Sequence, residues 1–364
     1  MAIAREAART AAFDIRRRTW PLDHVHAHMP LETAAQIGRV VGPPGEHVAW
    51  LDTETTGLAG GTGTYVFLVG IGAVEEGDFV LTQYFLRDLG GEVEMLQALA
   101  DHLRRFDALV TFNGSRFDLP LLQTRFLLSR LRHDFEGSAH LDLMTLARRL
   151  WYRRLGGYSM ALLEQMILKV DRFLDVAGWM IPSLYVQYLS TGDLDALEPV
   201  FAHNASDLLS LLSLHGLAGE MLTHPQETKV AVDWSGLGHL LDARGDGNAA
   251  VECYRSALLD ERDLWARRRT VTALARHYRK EGLIDLLLEL WDGEFHTGVL
   301  PRWLVLERLA MIWEWELRDP RQALMCTEQA LTHLNGTGHP SPERLIHRRQ
   351  RLLRKQALGL APRS

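Results

Sequence analysis

The chain of 364 residues lacks several features that would narrow its class. It has two cysteines, Cys253 and Cys326, and neither lies in a Cys-x-x-Cys pair, which argues against a zinc site and against a disulfide framework. No apolar run reaches the ~18 to 20 residues that cross a bilayer. The 40 Lys and Arg residues do not outnumber the 46 Asp and Glu residues, and the net charge of −6 argues weakly against a protein that coats nucleic acid.

The N-terminal segment also lacks an apolar stretch before a cleavage site. Charges run through MAIAREAARTAAFDIRRR, so no signal peptide is predicted. The segment has some likeness to an Arg- and Ala-rich transit peptide, but Glu6 and Asp14 argue against one. We therefore expect a cytoplasmic protein whose two thiols are reduced and buried.

The length exceeds what one hydrophobic core usually holds, so two domains are expected. The predicted organisation is an extension at residues 1–45, a mixed domain at 46–225, a helical domain at 226–340 and a basic tail at 341–364. Strands are predicted at 47–51, 65–74, 78–86 and 108–112, and helices at 92–105, 119–131 and 142–155. This order predicts an α/β fold with a mixed sheet flanked by helices, followed by an all-α domain.

Two carboxylates end the first predicted strand. Asp52 and Glu54 are two residues apart, so both side chains lie on the same face of the strand. Two carboxylates aimed together repel each other, and a divalent cation between them removes that cost. Hard oxygen ligands of this kind select Mg²⁺ or Mn²⁺. A polar turn after a strand is the alternative interpretation.

Three more candidate residues follow at characteristic positions. Asp118 comes shortly after the predicted strand that ends near Asn113. His203 and Asp207 are four residues apart in a predicted helix and therefore share one face of it.

Together these motifs resemble the DnaQ-like, or DEDD, exonuclease superfamily. Residues 52–58 read Asp-Thr-Glu-Thr-Thr-Gly-Leu, residues 113–118 read Asn-x-x-x-Phe-Asp, and residues 203–207 read His-x-x-x-Asp. The last motif departs from the family, because a histidine stands at the spacing of the tyrosine branch. Within the superfamily, the segment 46–220 is similar to the YprB-type ribonuclease H-like group, which shares the glycine-rich loop 60–64 and the endings His140-Leu-Asp142 and His203-Asn204-x-x-Asp207.

The resemblance implies a ribonuclease H-like sheet and a 3′→5′ exonuclease. It implies two divalent metal ions, Mg²⁺ or Mn²⁺, held by Asp52, Glu54, Asp118 and Asp207, and His203 as general base. The alternative for His203 is support of the metal ligands. Single-stranded nucleic acid is the expected substrate, with DNA favoured over RNA. An RNA-processing exonuclease, a structure-specific endonuclease and a non-catalytic scaffold are the other possibilities.

The same resemblance implies two walls of a substrate site. Thr55, Gly57 and Leu58 would meet the terminal nucleotide, and Asn113 and Phe117 would form the opposite wall. For Phe117 a place in the core is an equal alternative, and Asn113 could instead cap a turn.

Other polar residues have simpler interpretations. Asp142 is predicted to cap a helix rather than to be a fifth ligand, with His140 as a structural hydrogen-bond partner near it. The arginines of segment 148–154, interleaved with Trp151 and Tyr152, form either a solvated helix face or a groove that follows a nucleic-acid strand. The histidines at 24, 26 and 28 are expected to be exposed in a flexible arm rather than to bind metal.

The helical region resembles tetratricopeptide repeats. Small and large residues recur at repeat spacing, first at Trp234, Leu237, Gly238, Leu241, Ala250, Tyr254 and Ala257, then in weaker copies around Ala275 and Ala323. This domain is expected to bind a protein partner, to mediate oligomerisation or to brace the first domain. The basic tail is either solvated or in contact with phosphates.

Overall fold

The computed structural model describes residues 12–42, 45–57, 61–133, 135, 139–172, 176–334 and 342–357. Contacts between Cα atoms divide the chain into two compact units, Met1–Asp233 and Trp234–Ser364. The first unit holds all of the described strands, and the second is built from helices. Each unit is described by itself.

The first unit is organised around a six-stranded mixed sheet. In spatial order the strands are β1, β6, β5, β4, β7 and β8. Strands β1, β6, β5 and β4 pair antiparallel, and β4, β7 and β8 pair parallel. Their bounds are Phe13–Pro21 (β1), Val48–Thr55 (β4), Val66–Glu75 (β5), Asp78–Leu86 (β6), Ala108–Thr111 (β7) and Ala139–Asp142 (β8), and a small hairpin joins Val25–His26 (β2) to Met29–Pro30 (β3). The predicted mixed sheet is confirmed.

Two strands at the edges of the sheet, β1 and β8, were absent from the sequence-based prediction. Strand β1 lies within the segment assigned to an extension, and it pairs with β6 along its whole length, from Phe13 opposite Leu86 to Pro21 opposite Asp78. Its sequence FDIRRRTWP is rich in arginine, so the apolar alternation of a half-buried strand is weak. An edge strand tolerates such charges, because only one of its edges is paired.

Helices cover the sheet and bury its central strands. In β5 the first eight residues are buried in succession, as expected for a strand covered on both faces. The rings of Phe67 and Tyr185 stack with centroids 4.0 Å apart, and the Tyr185 hydroxyl donates to the Leu86 carbonyl. The helices are Leu31–Gly38 (α1), Glu92–Leu103 (α2), Asp118–Leu128 (α3), Leu143–Leu150 (α4), Tyr152–Leu155 (α5), Met160–Leu163 (α6), Ile181–Thr191 (α7) and Glu198–Thr223 (α8).

Helix α8 crosses the sheet beside β4 and β5. It starts with Pro199 in its first turn, where a missing N–H costs nothing, and most of its residues are buried. Gly70 of β5 allows the close approach, since a Cβ atom there would lie 2.3 Å from Asn204 Oδ1 and 2.5 Å from Leu208 Cδ1. The sequence of β5 therefore permits α8 to place polar side chains at the centre of the sheet.

The second unit is helical throughout its described part, which confirms the predicted all-α region. Neighbouring helices in sequence pack against each other. Their bounds are Trp234–Ala243 (α9), Gly247–Asp260 (α10), Leu264–Lys280 (α11), Ile284–Thr297 (α12), Arg302–Trp315 (α13), Pro320–Leu334 (α14) and Glu343–Ala357 (α15). The tetratricopeptide assignment itself remains a prediction. Across the described residues of both units, no helix is both long and apolar enough to cross a membrane.

Part of the basic tail is a packed helix. Arg348, Arg351 and Lys355 of α15 all bind the Glu314 carboxylate of α13, whose side chain is 1% exposed. These three cations therefore hold the tail on the helical unit. Residues 358–364, with Arg363, lie outside the described part.

The two thiols differ in exposure. Cys253 is fully buried as predicted, and burial raises its pKa to about 12. Cys326 is only partly buried, and burial raises its pKa to about 11. Both thiols are free.

Candidate active site

The candidate site begins at the central strand of the sheet. Asp52 and Glu54 lie on β4, beside a register irregularity between Glu54 and Thr55. Burial raises the pKa of Asp52 well above its usual range, and the negative charges of Asp207, Glu54 and Asp118 raise it further. Four carboxylates that are far apart in sequence thus act on one another electrostatically.

Helix α8 brings three polar residues to Asp52 and Glu54. His203 Nε2 lies 3.6 Å from Asp207 Oδ2 and 4.0 Å from Glu54 Oε1. Asn204 is fully buried, and its Nδ2 donates to Asp52 Oδ2 at 2.8 Å. Gln83 of β6 donates in turn to Asn204 Oδ1 at 2.8 Å, which fixes the orientation of the Asn204 amide. The Asp52 carboxylate is therefore held by a chain of buried amides.

Asp118 is the first residue of α3, and it is buried. Its Oδ1 accepts a hydrogen bond from the Thr53 hydroxyl at 2.5 Å. Burial raises the pKa of Asp118 to about 6, although the bond from Thr53 opposes that shift. Thr53 stands between Asp52 and Glu54, so this bond attaches Asp118 to the strand that carries them.

Sequence reasoning missed an arginine in this cluster. Arg172 Nη2 donates both to Asp207 Oδ1 and to Glu164 Oε1, and Arg172 Nη1 lies 3.4 Å from His203 Nδ1. Glu164 opens the short π-helix Glu164–Leu168 and is buried. Such π-helical segments often occur at functional sites. Arg172 thus brings a cation into contact with Asp207 and His203.

No local sequence signal pointed to Arg172 or Glu164. Arg172 lies in a connection between helices, and its place depends on the path of the chain. Asn204 could have been found, because it follows His203 directly and stands in the motif quoted for the YprB-type group.

The predicted metal ligands are close but not gathered into one metal-binding group. Among the described residues, no three His, Cys, Asp or Glu side chains are arranged to hold a metal ion. Two of these carboxylates bind other side chains: Asp207 binds Arg172, and Asp118 accepts from the Thr53 hydroxyl. The donor chemistry nevertheless fits divalent cations, because carboxylate oxygens are the ligands that Mg²⁺ and Mn²⁺ prefer, and the other three carboxylates all raise the pKa of Asp52.

The predicted substrate walls are only partly described. The Thr55 hydroxyl donates to the Gly57 carbonyl at 2.8 Å, so this turn holds its own shape. Leu58 lies outside the described residues. Asn113 adopts a left-handed conformation with φ 66°, which asparagine tolerates better than most residues. Phe117 is half-buried and immediately precedes α3.

Asp142 organises the loop that carries Asn113 and Phe117. It caps α4 by accepting from the Met144 N–H, as predicted, and it accepts from the backbone N–H groups of Asn113 and Ser115. His140 Nε2 lies 2.8 Å from the Thr111 hydroxyl, also within hydrogen-bonding distance. These contacts make both residues structural supports of the loop.

In the 148–154 segment and in the histidine group at 24, 26 and 28, some residues are exposed and others are wholly or partly buried. Trp151 is buried, so it is not a stacking platform, while Arg148 and Arg149 are exposed. His28 is exposed as expected, but His26 lies 3.1 Å from the Ser210 hydroxyl of α8 and burial lowers its pKa to about 4. The expectation of an exposed arm is therefore wrong for His26.

Comparisons with known proteins agree with this architecture. Residues 49–218 match the family model described as the RNase_H superfamily. The chain therefore carries an RNase H-like domain, and such a domain supports a nuclease-type function with nucleic acid as substrate. The chain is also similar to the uncharacterized protein YprB of Bacillus subtilis (strain 168), with 27% identity over 94% of this chain and 86% of that protein. This confirms the predicted ribonuclease H-like domain and the likeness to YprB.

Among solved structures, the chain is similar to the family B DNA polymerase of Pyrobaculum calidifontis. The identity is 15% and the TM-score is 0.39. The match covers 66% of this chain, which spans only 30% of the polymerase.

Proposed function

We propose that the protein is a 3′→5′ exonuclease that hydrolyses single-stranded nucleic acid, with DNA favoured over RNA. The observation that carries the proposal is the group of four carboxylates formed by Asp52 and its three acidic neighbours, in an RNase H-like domain, with Arg172 bound to one of them, Asp207. Like charges in this number destabilise the fold unless cations are bound, so their presence favours a metal-dependent function.

Asp52, Glu54, Asp118 and Asp207 would hold two divalent ions, Mg²⁺ or Mn²⁺. When bound, the ions would activate water and neutralise the charge that grows on the phosphoryl group. Asn204 orients Asp52 through its side-chain amide, and Thr53 orients Asp118. Thr55, Gly57 and Leu58 would meet the terminal nucleotide, and Asn113 and Phe117 would form the facing wall.

His203 is proposed as the general base. Its Nε2 lies within 4.0 Å of carboxylate oxygens of both Glu54 and Asp207, and the side chain is 14% exposed, so water can reach it. For Nε2, which faces Glu54 and Asp207, to accept a proton from an attacking water, the neutral ring must carry its hydrogen on Nδ1. Arg172, which lies 3.4 Å from Nδ1 and can only donate, would therefore have to leave that nitrogen in the active state.

The direct test is digestion of a 5′-labelled single-stranded DNA oligonucleotide with Mg²⁺ or Mn²⁺, beside an RNA oligonucleotide of the same sequence. We expect a ladder of shortened, still labelled products that requires the metal and disappears in Asp52→Ala. The ratio of the DNA and RNA rates gives the substrate preference. Products of one internal size would instead indicate an endonuclease, and no cleavage of either with both metals would contradict the proposal.

His203→Ala tests the base separately. General-base catalysis contributes about 10²- to 10⁴-fold, so we expect a loss of at least ~10²-fold in rate at neutral pH with metal binding retained. A variant that keeps the full rate would exclude this role for His203 and leave it as support for the metal ligands.

A further inference from the structure

The outer face of α11 in the helical unit carries an unusual combination of side chains. Trp265 is 69% exposed, although tryptophan is a residue that normally gains from burial. Along the same face lie five exposed cations, namely Arg268, Arg269, Arg276, Arg279 and Lys280. We call these six residues the α11 stripe.

Helical geometry places the stripe on one surface. The residues follow Trp265 by 3, 4, 11, 14 and 15 positions, which all fall within about 60° of it at 3.6 residues per turn. Thr272 also lies on this face. The sequence of α11 contains no Asp or Glu, so no acidic residue of this helix lies beside the stripe. The opposite side is buried in the unit, at Ala266, Arg267, Thr270, Val271, Ala273, Leu274, Ala275 and Tyr278. The stripe therefore runs for roughly 22 Å at 1.5 Å per residue.

The charge of the stripe is mostly uncompensated. Arg279 binds Glu316, with 2.7 Å between its Nε and Glu316 Oε1. Within the part of the chain that the structure describes, Arg268, Arg269, Arg276 and Lys280 form no ion pair. On the inner side of the same helix, by contrast, Arg267 is fully paired with Glu294. In a chain of net charge −6, this is a local positive surface on which four of the five cations have no acidic partner among the described residues.

We propose that the α11 stripe binds the sugar-phosphate backbone of a single-stranded nucleic acid, with a base stacked on Trp265. Arginine forks match phosphate oxygens, and an exposed indole stacks on any base, so the two kinds of side chain fit the two parts of each nucleotide. The inference rests on the proposed function only in taking nucleic acid as the ligand. An acidic protein segment would use the cations but would gain little from the indole.

The test uses the full chain in EDTA, where the substrate is not cut, and a fluorescein-labelled oligothymidylate of ~20 nucleotides. Binding is followed by anisotropy between ~50 and ~200 mM NaCl, the range over which phosphate contacts dominate affinity. The variant Arg268→Ala/Arg269→Ala/Arg276→Ala is compared with Arg318→Ala/Arg321→Ala, a control that removes exposed arginines elsewhere in the same unit. Alanine has the highest helix propensity, so α11 is retained, and circular dichroism verifies it.

We expect the stripe variant to bind at least ~10-fold more weakly at low salt. The slope of log affinity against log salt concentration should become shallower by about 2, since three phosphate contacts are removed and each contributes about 0.7 on a single strand. Trp265→Ala should weaken binding at every salt concentration and leave the slope unchanged. The control variant should behave as the wild type.

Three results would overturn the inference. The stripe variant could bind as the control does, which would make the face a solvated one. Trp265→Ala could have no effect. A poly-glutamate peptide could displace the oligonucleotide from wild type and bind with equal strength to wild type and Trp265→Ala, which would assign the face to an acidic protein partner.

Cleavage of an oligonucleotide of ~3 nucleotides, too short to span the stripe, separates the two proposals. With metal present, the stripe variant should cut it at the wild-type rate. If no substrate is cut while the affinity and salt dependence follow the stripe, the proposed nuclease activity fails and the binding surface stands.

Discussion

Two buried acids of the helical unit and the carboxylates of the candidate site are held in opposite ways. In the helical unit, Glu314 is bound by three cations, whose hydrogen bonds outweigh the effect of burial and lower its pKa. Glu294 is likewise bound by Arg267 through two bonds of 2.7 Å. In the RNase H-like domain, burial and three acidic neighbours raise the pKa of Asp52, and Arg172 is the arginine that contacts the group.

This difference distinguishes buried acids that stabilise the fold from buried acids that serve a functional site. A buried acid that is saturated by its own cations contributes to one fixed arrangement, and removing a partner leaves an uncompensated charge. Acids that outnumber their cations cost stability in the metal-free protein, and such groups cluster at functional sites, where a ligand can supply the missing charge. Substitutions in the two regions should therefore have effects of opposite sign.

The largest expected effect is that of Asp118→Asn. We expect the rate of metal-dependent hydrolysis to fall by at least ~10²-fold, the scale of losing one group that stabilises transition-state charge. In EDTA at pH 8, the same variant should be more stable than wild type by roughly 2–3 kcal/mol, because the buried carboxylate no longer has to ionise. Urea unfolding and oligonucleotide digestion measure the two effects. Undiminished turnover would remove Asp118 from the site.

The gain in stability should depend on pH. Since the pKa of Asp118 rises from 3.8 to about 6 on folding, the folded state holds the proton more tightly. The carboxyl therefore favours folding at low pH and loses that contribution as the pH rises to about 6. The difference in free energy of unfolding between variant and wild type should increase between about pH 4 and 6 and stay constant above about pH 7. A difference that does not change with pH would contradict the assignment of this shift to Asp118.

Glu314→Gln should act in the opposite direction. It leaves Arg348, Arg351 and Lys355 without their carboxylate, and we expect the helical unit to lose about 2–3 kcal/mol, near the lower limit for buried pairs because two of the cations are partly exposed. Urea unfolding followed by helical circular dichroism measures the loss. Glu328→Gln, which breaks only the exposed pair with Arg349, is the control and should change stability by well under ~1 kcal/mol.

Substitution of one tightly packed glycine in each region compares the two regions without any change of charge. A Cβ atom at Gly70 would overlap Asn204, and one at Gly238 would lie 2.7 Å from the Tyr254 ring. Each Gly→Ala change should cost about 1–3 kcal/mol through overpacking. Only Gly70→Ala should also reduce hydrolysis, because it displaces the amide that orients Asp52. Equal activity of the two variants would show that Asn204 does not need its present position.

The smallest effect concerns Arg172. Since a cation must leave Asp207 before a metal ion can bind there, Arg172→Gln should tighten Mn²⁺ binding roughly fivefold, or about 1 kcal/mol for a partly exposed pair. Isothermal titration calorimetry measures the dissociation constant. Glu164→Gln should weaken Mn²⁺ binding, because Arg172 then loses its second carboxylate and stays on Asp207. Weaker binding in Arg172→Gln would mean instead that the arginine holds Asp207 in place for the metal.

The periodicity of single elements was a good guide to the site. The positions of Asp52 and Glu54 on one strand and of His203 and Asp207 on one helix follow from local geometry, and the structure places both pairs as the spacing predicted. The prediction of Asp142 as a helix cap succeeded for the same reason. Strand β1 escaped prediction because an edge strand carries charges that hide its pattern.

By itself, the sequence determined the class of fold, the order of the motifs and the faces on which their side chains lie, because these depend on repeats of two or about four residues within one element. Only the tertiary structure decided that Arg172 and Glu164 meet Asp207, that Asn204 orients Asp52 across 152 positions, and that Thr53 binds Asp118. These contacts depend on how helices and loops pack on the sheet. Packing is set by the shape of many side chains together, as at Gly70, and no short spacing in the sequence records it.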